Sequence, residues 1–407
     1  MTIAEFAEHL GVTTRAVDKW EARGASITPR PELQRALDTV LSGADPAARA
    51  RLFHWVDGFL HPVRPPGDAP PQGQLGAETG PDSSAGAGPQ RSARPVEGLT
   101  RTERYVGAVE AHDVAQVVAA THRFESLDHR FGGGYARRAA VEYLGSTVAT
   151  LLSRTASDRV RAALMAAAAE LTYKTGAMAY DCGMHDAART YFVGALDLAR
   201  SGGDRALSGK VFAIMSHQAN FLGRHAEAVD LARAAKSGAA GAAPPRVHAM
   251  YCAMEARALS ARGDEAAATR AVREAESAFA RQGGEDEPPW IRYFDVAELH
   301  DEFGHCFRDL GKAEESARNL DIALATSSSA YPRSRTFSRL ILASTHLQRG
   351  DADEAAHIAV SALNSLGSLQ SARVRSYVRD LASRFDRVGD GPATRQFNRH
   401  AAALLAG

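Results

Sequence analysis

The sequence predicts an all-α protein made of a small helix-turn-helix bundle, a disordered linker and an α-solenoid of helical repeats. From about residue 100 onward the chain is rich in Ala, Leu and Arg. It has no run there that alternates apolar and polar residues as a half-buried strand would. Glycines recur in that region at intervals of 39 to 48 residues, and each separates two long helical stretches. A repeat period of this length is typical of stacked helical hairpins.

Composition divides the 407 residues into three parts. Residues 1–60 contain short amphipathic patterns and are expected to form the bundle. Residues 61–98 hold eight of the 17 prolines and no Phe, Trp or Tyr. Such a segment cannot bury enough apolar surface to offset the entropy of ordering it, so we predict a disordered linker rich in Pro, Gly and Ser. Residues 99–407 are expected to form the repeat domain.

Global composition excludes several classes of protein. Lys plus Arg equals Asp plus Glu at 48 each, so no overall basic surplus indicates nucleic acid. The three cysteines lie far apart, which argues against a disulfide framework and indicates a reducing, cytoplasmic compartment. No uninterrupted apolar run of about 18 residues is present, and we therefore expect no membrane association.

Small residues stand at fixed distances from the six repeat glycines, which are Gly183, Gly223, Gly263, Gly311, Gly350 and Gly389. Five positions later the chain has Ala188, Ala228, Ala268, Ser316, Ala355 and Thr394. Twelve positions later it has Ala195, Ala235, Ala275, Ala323, Ala362 and Ala401. Seven positions earlier it has Gly176, Ser216, Ala256, Gly304, Ala343 and Ala382. We infer that each glycine turns a helical hairpin and that the small residues mark where its two helices approach closely.

This spacing of small residues resembles the tetratricopeptide repeat, with units somewhat longer than is usual in that family. The resemblance covers about residues 160–405. Residues 103–155 are expected to form a further helical pair that caps or extends the array.

The stretch GVTTRAVDKWEARG, residues 11–24, predicts a turn followed by a short helix. Gly11 permits the turn, Thr13 can N-cap the helix, and Val17 and Trp20 would face inward. This arrangement resembles the helix-turn-helix of Xre/Cro-type phage-repressor-like regulators, including the Trp-Glu pair at the end of the second helix. The resemblance implies that the DNA-binding residues are Thr13, Thr14, Arg15, Lys19 and Arg23. It also implies a double-stranded operator, read by a homodimer.

Two features of the N-terminal region leave alternatives to DNA binding. The resembled fold has a further helix before the one that starts near Ile3, so the bundle is expected to lack its first helix unless the start lies upstream or another surface covers Phe6 and Leu10. Through residue 60 there are seven basic and eight acidic side chains, which predicts weak binding of DNA by a monomer. A helical hairpin with solvated charges is the plainer alternative.

The whole chain resembles a group of actinobacterial proteins in which an Xre-type helix-turn-helix precedes tetratricopeptide-like repeats. The stretches that carry the resemblance are FGGGYARRAAVEYL, AELTYKTGAMAYDCGMHDAARTYFVGALDLA, PPWIRYFDVAELHDEFGHCFRDLG and YPRSRTFSRLILA. The group looks like transcriptional regulators. The peptide-pheromone receptors of Gram-positive bacteria share the same order of domains, and that likeness is one of architecture only.

Polar and aromatic residues recur on the first helix of several repeats, where stacked hairpins form a concave face. An extended peptide or helix can lie on such a face, with amides and carboxylates bonding its backbone. The candidate groove residues are Tyr173, Tyr180, His217, Asn220, Tyr251, Glu255, Trp290, Tyr293, Glu298 and Arg335. For each of them packing between repeats is the alternative role.

We predict no metal, no cofactor and no enzymatic activity. His300 and His305 in HDEFGH are five residues apart, about 140° around a helix, and so do not share a face for zinc. No Ser-His-Asp or Cys-His spacing indicates a nucleophile. The predicted function is a transcriptional regulator controlled by a peptide, protein or small ligand in the repeat domain. The alternative is an interaction scaffold that does not bind DNA.

Overall fold

A computed structural model describes residues 107–283, 287–329, 331–367, 369–388 and 391–406. The predicted helix-turn-helix at 1–60 and the predicted linker at 61–98 lie outside the described residues. The described chain is helical and contains no strand, which confirms the all-α class.

The helices of the described part form a short N-terminal group followed by six hairpins. The N-terminal group is α1 (Ala111–Phe131), α2 (Gly133–Tyr143), a π-helical turn (Leu144–Val148) and α3 (Ala149–Ser153). The first three hairpins are α4 (Asp158–Asp181) with α5 (His185–Ser201), α6 (Arg205–Phe221) with α7 (His225–Gly238), and α8 (Pro245–Ala261) with α9 (Glu265–Phe279). A 3₁₀ turn (Pro289–Ile291) precedes the others, which are α10 (Val296–Asp309) with α11 (Ala313–Thr326), α12 (Pro332–Arg349) with α13 (Ala352–Asn364), and α14 (Ala372–Phe385) with α15 (Pro392–Ala406).

The predicted glycine turns are confirmed for the five hairpins whose glycine is described. These glycines have φ between +73° and +85°, a region that residues with a Cβ rarely adopt. In each turn the residue after the glycine donates its N–H to the carbonyl five residues earlier, as Met184 does to Ala179 at 2.9 Å. This pattern ends a helix by satisfying one of its last carbonyls. Gly389 lies outside the described residues.

The small residues lie where the two helices of a hairpin touch, as predicted. All six alanines twelve positions after the glycines are buried, with at most 2% of their surface exposed. A Cβ added at Gly304 would lie 2.5 Å from Cγ of Leu320, which is closer than carbon atoms can pack. The hydroxyl of Ser216 donates to the carbonyl of Ala228 in the facing helix at 2.7 Å. The hairpins are therefore held together by close backbone approach as much as by large apolar side chains.

The two ends of the repeat array meet, which the sequence did not predict. The N–H of Gln370 donates to the carbonyl of Phe131 at 2.7 Å. Arg333 at the start of α12 forms ion pairs with Asp128 of α1 at 2.7 Å and with Asp181 of α4 at 3.1 Å. The predicted N-terminal helical pair thus packs against α4 and also contacts the C-terminal part of the array, so the described array closes on itself.

The turn between α1 and α2 shows how closely these ends pack. Gly132 has φ +85°, and a Cβ there would lie 2.3 Å from the carbonyl oxygen of Gln370. Gly133 donates its N–H to the Asp181 carboxylate at 3.0 Å. The glycines of FGGGYAR therefore form a turn that lets the backbone near residue 370 approach. None of the helices in the described ranges is long and apolar enough to cross a membrane.

Candidate ligand site in the central cavity

The closed array surrounds a cavity of about 220 Å³. Its walls come mainly from α1 and from the first helices of the six hairpins, α4, α6, α8, α10, α12 and α14. A wider groove of about 670 Å³ adjoins it and shares His129, Tyr293 and Tyr331 with it. That groove lies between α1 and the segments 289–293 and 329–332. It connects one side of the cavity with the outside.

Helix α10 contributes most of the acidic wall. Glu298, Asp301, Glu302 and His305 are spaced by three, one and three residues, which places them on one side of a helix. Asp295 begins the helix by accepting the backbone N–H of Glu298 at 3.0 Å. The helix turns this polar side to the cavity, while Leu299, Phe303 and Cys306 on its other side are buried in the protein core.

The guanidinium of Arg257 organises the interior of the wall. Its Nη1 donates to Glu302 at 2.8 Å, and its Nη2 lies 3.2 Å from Nδ1 of His305. Because Arg can only donate, Nδ1 of His305 accepts, and the proton of the neutral ring is on Nε2, 3.8 Å from Asp301. His217 lies 3.5 Å from the same guanidinium and hydrogen-bonds Tyr180 at 2.9 Å. One buried cation thus links α6, α8 and α10.

The histidines of the site are held in their neutral form. Burial lowers the pKa of His217 well below its ordinary value, and the charges of Arg373 and Arg257 lower it further. His305 is affected in the same way by burial and then by Arg257. Burial and the charge of Lys174 lower the pKa of His129 to about 4. These rings therefore act at neutral pH as hydrogen-bonding groups without charge.

Arg373 of α14 is a cation in the cavity wall without an acidic partner among the described residues. Its guanidinium lies over the rings of Tyr180 at 4.5 Å, Phe337 at 4.8 Å and Phe221 at 5.8 Å. Its Nε is buried and has no hydrogen-bond acceptor. Cation–π contacts account for part of its stability, and its capacity to donate hydrogen bonds is left unused.

Two acids on α10 are protonated more readily than usual. Burial, followed by the charge of Glu302, raises the pKa of Asp301 to about 6, although the Ser338 hydroxyl donates to it at 2.5 Å. Burial and the neighbouring Glu302 and Asp301 raise the pKa of Glu298 well above its ordinary value. No cation of the described part lies within ion-pair distance of Glu298. The carboxyl groups of Glu298 and Asp301 in this wall thus have no cationic partner at ion-pair distance among the described residues, apart from the neutral ring of His305 near Asp301.

Lys210 of α6 also lines the cavity. It is 1% exposed, and its Nζ has no hydrogen-bond acceptor and lies 3.8 Å from Glu170. The rings of Tyr173 and Trp290 are each 4.5 Å from the ammonium nitrogen. Burial and the charge of Lys174 lower the pKa of Lys210 to about 7. Lys174 itself pairs with Glu125.

Half of the predicted groove residues meet in the cavity. Its lining includes Tyr173, Tyr180, His217, Tyr293 and Glu298. Trp290 lines the adjoining groove.

The other four predicted groove residues make structural contacts elsewhere. Tyr251 is fully buried and donates to the carbonyl of Ala206. Glu255 pairs with Arg233 and Lys236. Asn220 bonds His225, and Arg335 donates to carbonyls at the end of α11. The predicted DNA-binding residues, from Thr13 to Arg23, lie outside the described residues.

Sequence reasoning missed most of the charged wall. Arg257, Asp301, Glu302, His305, Arg333 and Arg373 were not among the predicted groove residues. A usable signal was present in FDVAELHDEFGHC, where acids and histidines recur with helical spacing, and in YPRSR, which contains Arg333. No comparable signal marks Arg373, because its role depends on the closure of the array.

One cluster in the described part has the residue types of a metal site, His248, Cys252 and Glu274. Their ligand atoms lie within 4.8 Å of one another. Lys236, however, places its ammonium 2.7 Å from Glu274 and 2.9 Å from Glu255. A metal cation would have to compete with that ammonium, and burial raises the pKa of the Cys252 thiol to about 12. The contacts are those of an ion-pair cluster on the α8–α9 hairpin.

Comparison with solved structures gives distant likenesses. The chain is similar to the apo form of the quorum sensor NprR from B. thuringiensis over 73% of this chain and 89% of that chain. The sequence identity is 11% and the TM-score is 0.39, a level at which the likeness carries no conclusion about function. No protein-family model matches the chain, and no curated protein matches it.

Proposed function

We propose that this chain is a ligand-controlled transcriptional regulator, in which the helical array is the receptor and the N-terminal region binds DNA. The central cavity is the observation that carries the proposal. It is lined by polar groups from both ends of the array, and among the described residues Arg373 and Glu298 in its wall have no ion-pair partner. A cavity wall that holds polar groups without protein partners is suited to a polar ligand.

The position of the cavity also supports control by a ligand. Its walls include α1 and α4 from one end of the array and α12 and α14 from the other. A ligand held there contacts both ends at once, so its binding energy favours the closed arrangement over any more open one. Closure of the array is the conformational variable through which binding would reach the DNA-binding region.

The DNA-binding half of the proposal rests on GVTTRAVDKWEARG and on its resemblance to the Xre/Cro helix-turn-helix. Arg15 and Lys19 are suited to guanine edges and phosphates in the major groove. A homodimer in the cytoplasm, reading a pseudo-palindromic operator and having no enzymatic activity, completes the proposed function.

Selection of genomic DNA fragments by the purified full chain, followed by sequencing, tests this half. We expect enrichment of a short pseudo-palindrome by the parent chain and its loss in an Arg15→Ala, Lys19→Ala double variant. The matched control is Arg49→Ala, Arg51→Ala, which removes the same charge from another segment and should retain the selected sequence. No enrichment by the parent chain would favour an interaction scaffold over a DNA-binding regulator, and equal enrichment by both chains would show that Arg15 and Lys19 are not the residues that bind DNA.

A further inference from the structure

The charges that the protein leaves without partners in the cavity have opposite signs and lie in different places. Among the described residues Arg373 is the guanidinium without an acidic partner, stacked against Tyr180 and Phe337 with its Nε buried and without an acceptor. The other cation in the cavity wall without a hydrogen-bond acceptor, Lys210, lies 3.8 Å from Glu170, and burial lowers its pKa to about 7. By contrast, Arg257 and Arg333 in the same wall are each paired with carboxylates. A carboxylate is the group that a guanidinium of this kind binds best, through two parallel hydrogen bonds.

The unpaired acid is Glu298, one helical turn before Asp301 and Glu302 on α10. Glu302 is neutralised by Arg257, and Asp301 has a hydroxyl donor in Ser338 and a neutral histidine nearby. Glu298 has neither, and it faces Tyr173 and Tyr293, whose pKa values its charge raises further. A carboxylate beside aromatic rings is a suitable environment for an ammonium group.

The geometry of α10 gives the approximate distance between the two poles of the cavity, the Arg373 guanidinium and the Glu298 carboxyl group. Arg373 lies at the His305 end of α10, because Tyr377, one turn further along α14, packs edge-on against the His305 ring. Glu298 and His305 are seven residues apart on α10, which corresponds to about 10 Å along the helix axis. Apolar side chains line the cavity along with these charges, among them Ile214, Met254, Phe294 and Phe337.

We infer that the cavity binds a dipolar ligand, with a primary ammonium at Glu298 and Asp301, a carboxylate at Arg373, and an apolar spacer of about 10 Å between them. This inference rests on the proposed function only in taking the cavity as the receptor site. A ligand with one charge would leave the opposite side chain without a partner, which is why both ends are required.

A series of ω-amino acids isolates the two features that matter, because these molecules contain only the two charges and a spacer of chosen length. We expect 8-aminooctanoate, about 10 Å long when extended, to bind the full chain more tightly than 4-aminobutyrate. Titration calorimetry or ligand-detected NMR measures the difference. Octanoate and octylamine, which each have one of the two charges, should bind at least about tenfold more weakly than 8-aminooctanoate.

Two variants, each of which removes one of the two charged groups, test the assignment of the ligand's ends. In Glu298→Gln the advantage of 8-aminooctanoate over octanoate should disappear, and in Arg373→Gln its advantage over octylamine should disappear. Glu276→Gln and Arg375→Gln, at exposed positions on α9 and α14, are the matched controls and should bind like the parent. If a pole variant fails to fold, the comparison of the four compounds on the parent chain still decides the matter.

The inference is overturned if octanoate or octylamine binds as tightly as 8-aminooctanoate, if no member of the series binds, or if the exposed controls alter binding as much as the pole variants do. These outcomes are independent of DNA binding. Loss of ligand discrimination together with retained selection of an operator would remove the ligand class and leave the regulator. Retained discrimination between the ligands without selection of an operator would keep the ligand class and remove the DNA-binding regulator.

Discussion

The interfaces within the hairpins and the wall of the central cavity are built in opposite ways. Within a hairpin, Gly, Ala and Ser recur at fixed positions and are nearly all buried. The cavity wall uses repeated positions, since His217, Arg257 and His305 each lie six residues before a repeat glycine, but its residue types differ from hairpin to hairpin. It collects arginines, carboxylates, histidines and a buried lysine from seven different helices. The first region obtains stability from close packing. The second retains charges whose burial opposes folding.

This difference separates the residues that stabilise the array from the residues that form its candidate ligand site. Residues that follow the repeat stabilise each hairpin in the same way, so they are interchangeable between hairpins. Residues whose type is not repeated between hairpins, such as Arg257, Arg333 and Arg373, meet in one place and have individual partners. Substitutions in the two regions should therefore change stability in opposite directions, apart from the charges that close the array.

The largest loss of stability is expected for Arg333→Gln, at the closure of the array. Burial alone would raise the pKa of Asp128, and the Arg333 charge outweighs it and holds that pKa below its usual value. Removing the guanidinium leaves two buried carboxylates unpaired, which lowers the free energy of unfolding by about 3 kcal/mol or more. Urea denaturation measures the change.

Two controls accompany this substitution. Arg189→Gln removes one member of an ion pair with Glu227 whose Arg side chain is 44% exposed, and it should change stability by less than about 1 kcal/mol. Combining Arg333→Gln with Asp128→Asn and Asp181→Asn should recover much of the loss. An equal effect at Arg189 would show that the closing ion pairs have no special weight.

Gly304→Ala should lower the free energy of unfolding by about 1–3 kcal/mol, because its Cβ would lie 2.5 Å from Leu320. Gly145→Ala is the matched control, since a Cβ there meets nothing within 4 Å. The control should be neutral or stabilising by up to about 1 kcal/mol. Thermal or urea denaturation of both variants tests this, and similar destabilisation by both would contradict the packing account.

Lys210→Met should stabilise the protein by about 1–2 kcal/mol at pH 7, because a buried ammonium without a hydrogen-bond acceptor is replaced by an apolar side chain of similar length. The folded-state pKa of about 7 lies below the unfolded value, so the parent loses stability as the pH falls from about 10 to 7. The advantage of the variant should therefore shrink as the pH rises.

Denaturation at pH 7 and at pH 9.5 measures both effects for Lys210→Met. Lys312→Met, at a half-exposed lysine that pairs with Glu265, should show neither effect of burial. Destabilisation by Lys210→Met at both pH values would mean that the contacts of the ammonium with Tyr173 and Trp290 outweigh its burial.

The smallest effect is expected for His129→Phe, which should change how the free energy of unfolding depends on pH. The pKa of His129 is about 4 in the folded protein, below its ordinary value, so its protonation opposes folding as the pH falls from about 6.5 to 4. His217 and His305 act in the same direction, and Asp301, with its pKa raised to about 6, acts in the opposite one.

Phenylalanine keeps the edge-on ring contact with Tyr331 and removes the titration of His129. Between pH 7 and pH 5 the variant should lose roughly 1 kcal/mol less stability than the parent, as measured by urea denaturation at each pH. Parallel curves for parent and variant would show that protonation of His129 is not coupled to folding.

Sequence patterns were sufficient to predict the hairpins, because the residues that determine a hairpin lie close together in the chain. A glycine with positive φ and an alanine twelve residues later act within one hairpin, so period and residue size were sufficient to place them. Half of the groove residues that these patterns predicted, from Tyr173 to Glu298, do line the cavity, since first helices face inward in any array of this kind. The same patterns also selected Tyr251 and Glu255, because periodicity does not distinguish a residue that faces the cavity from one that faces a neighbouring helix.

By itself, then, the sequence determined the helical class, the turns and the close approach of helices within each hairpin. The closure of the array and the set of charges around its cavity were decided only by the tertiary structure. Arg333 and Asp128 are 205 residues apart, and Ser371 and Asp181 are 190 apart. Their meeting depends on small rotations accumulated over six hairpins, and no short-range pattern encodes that sum.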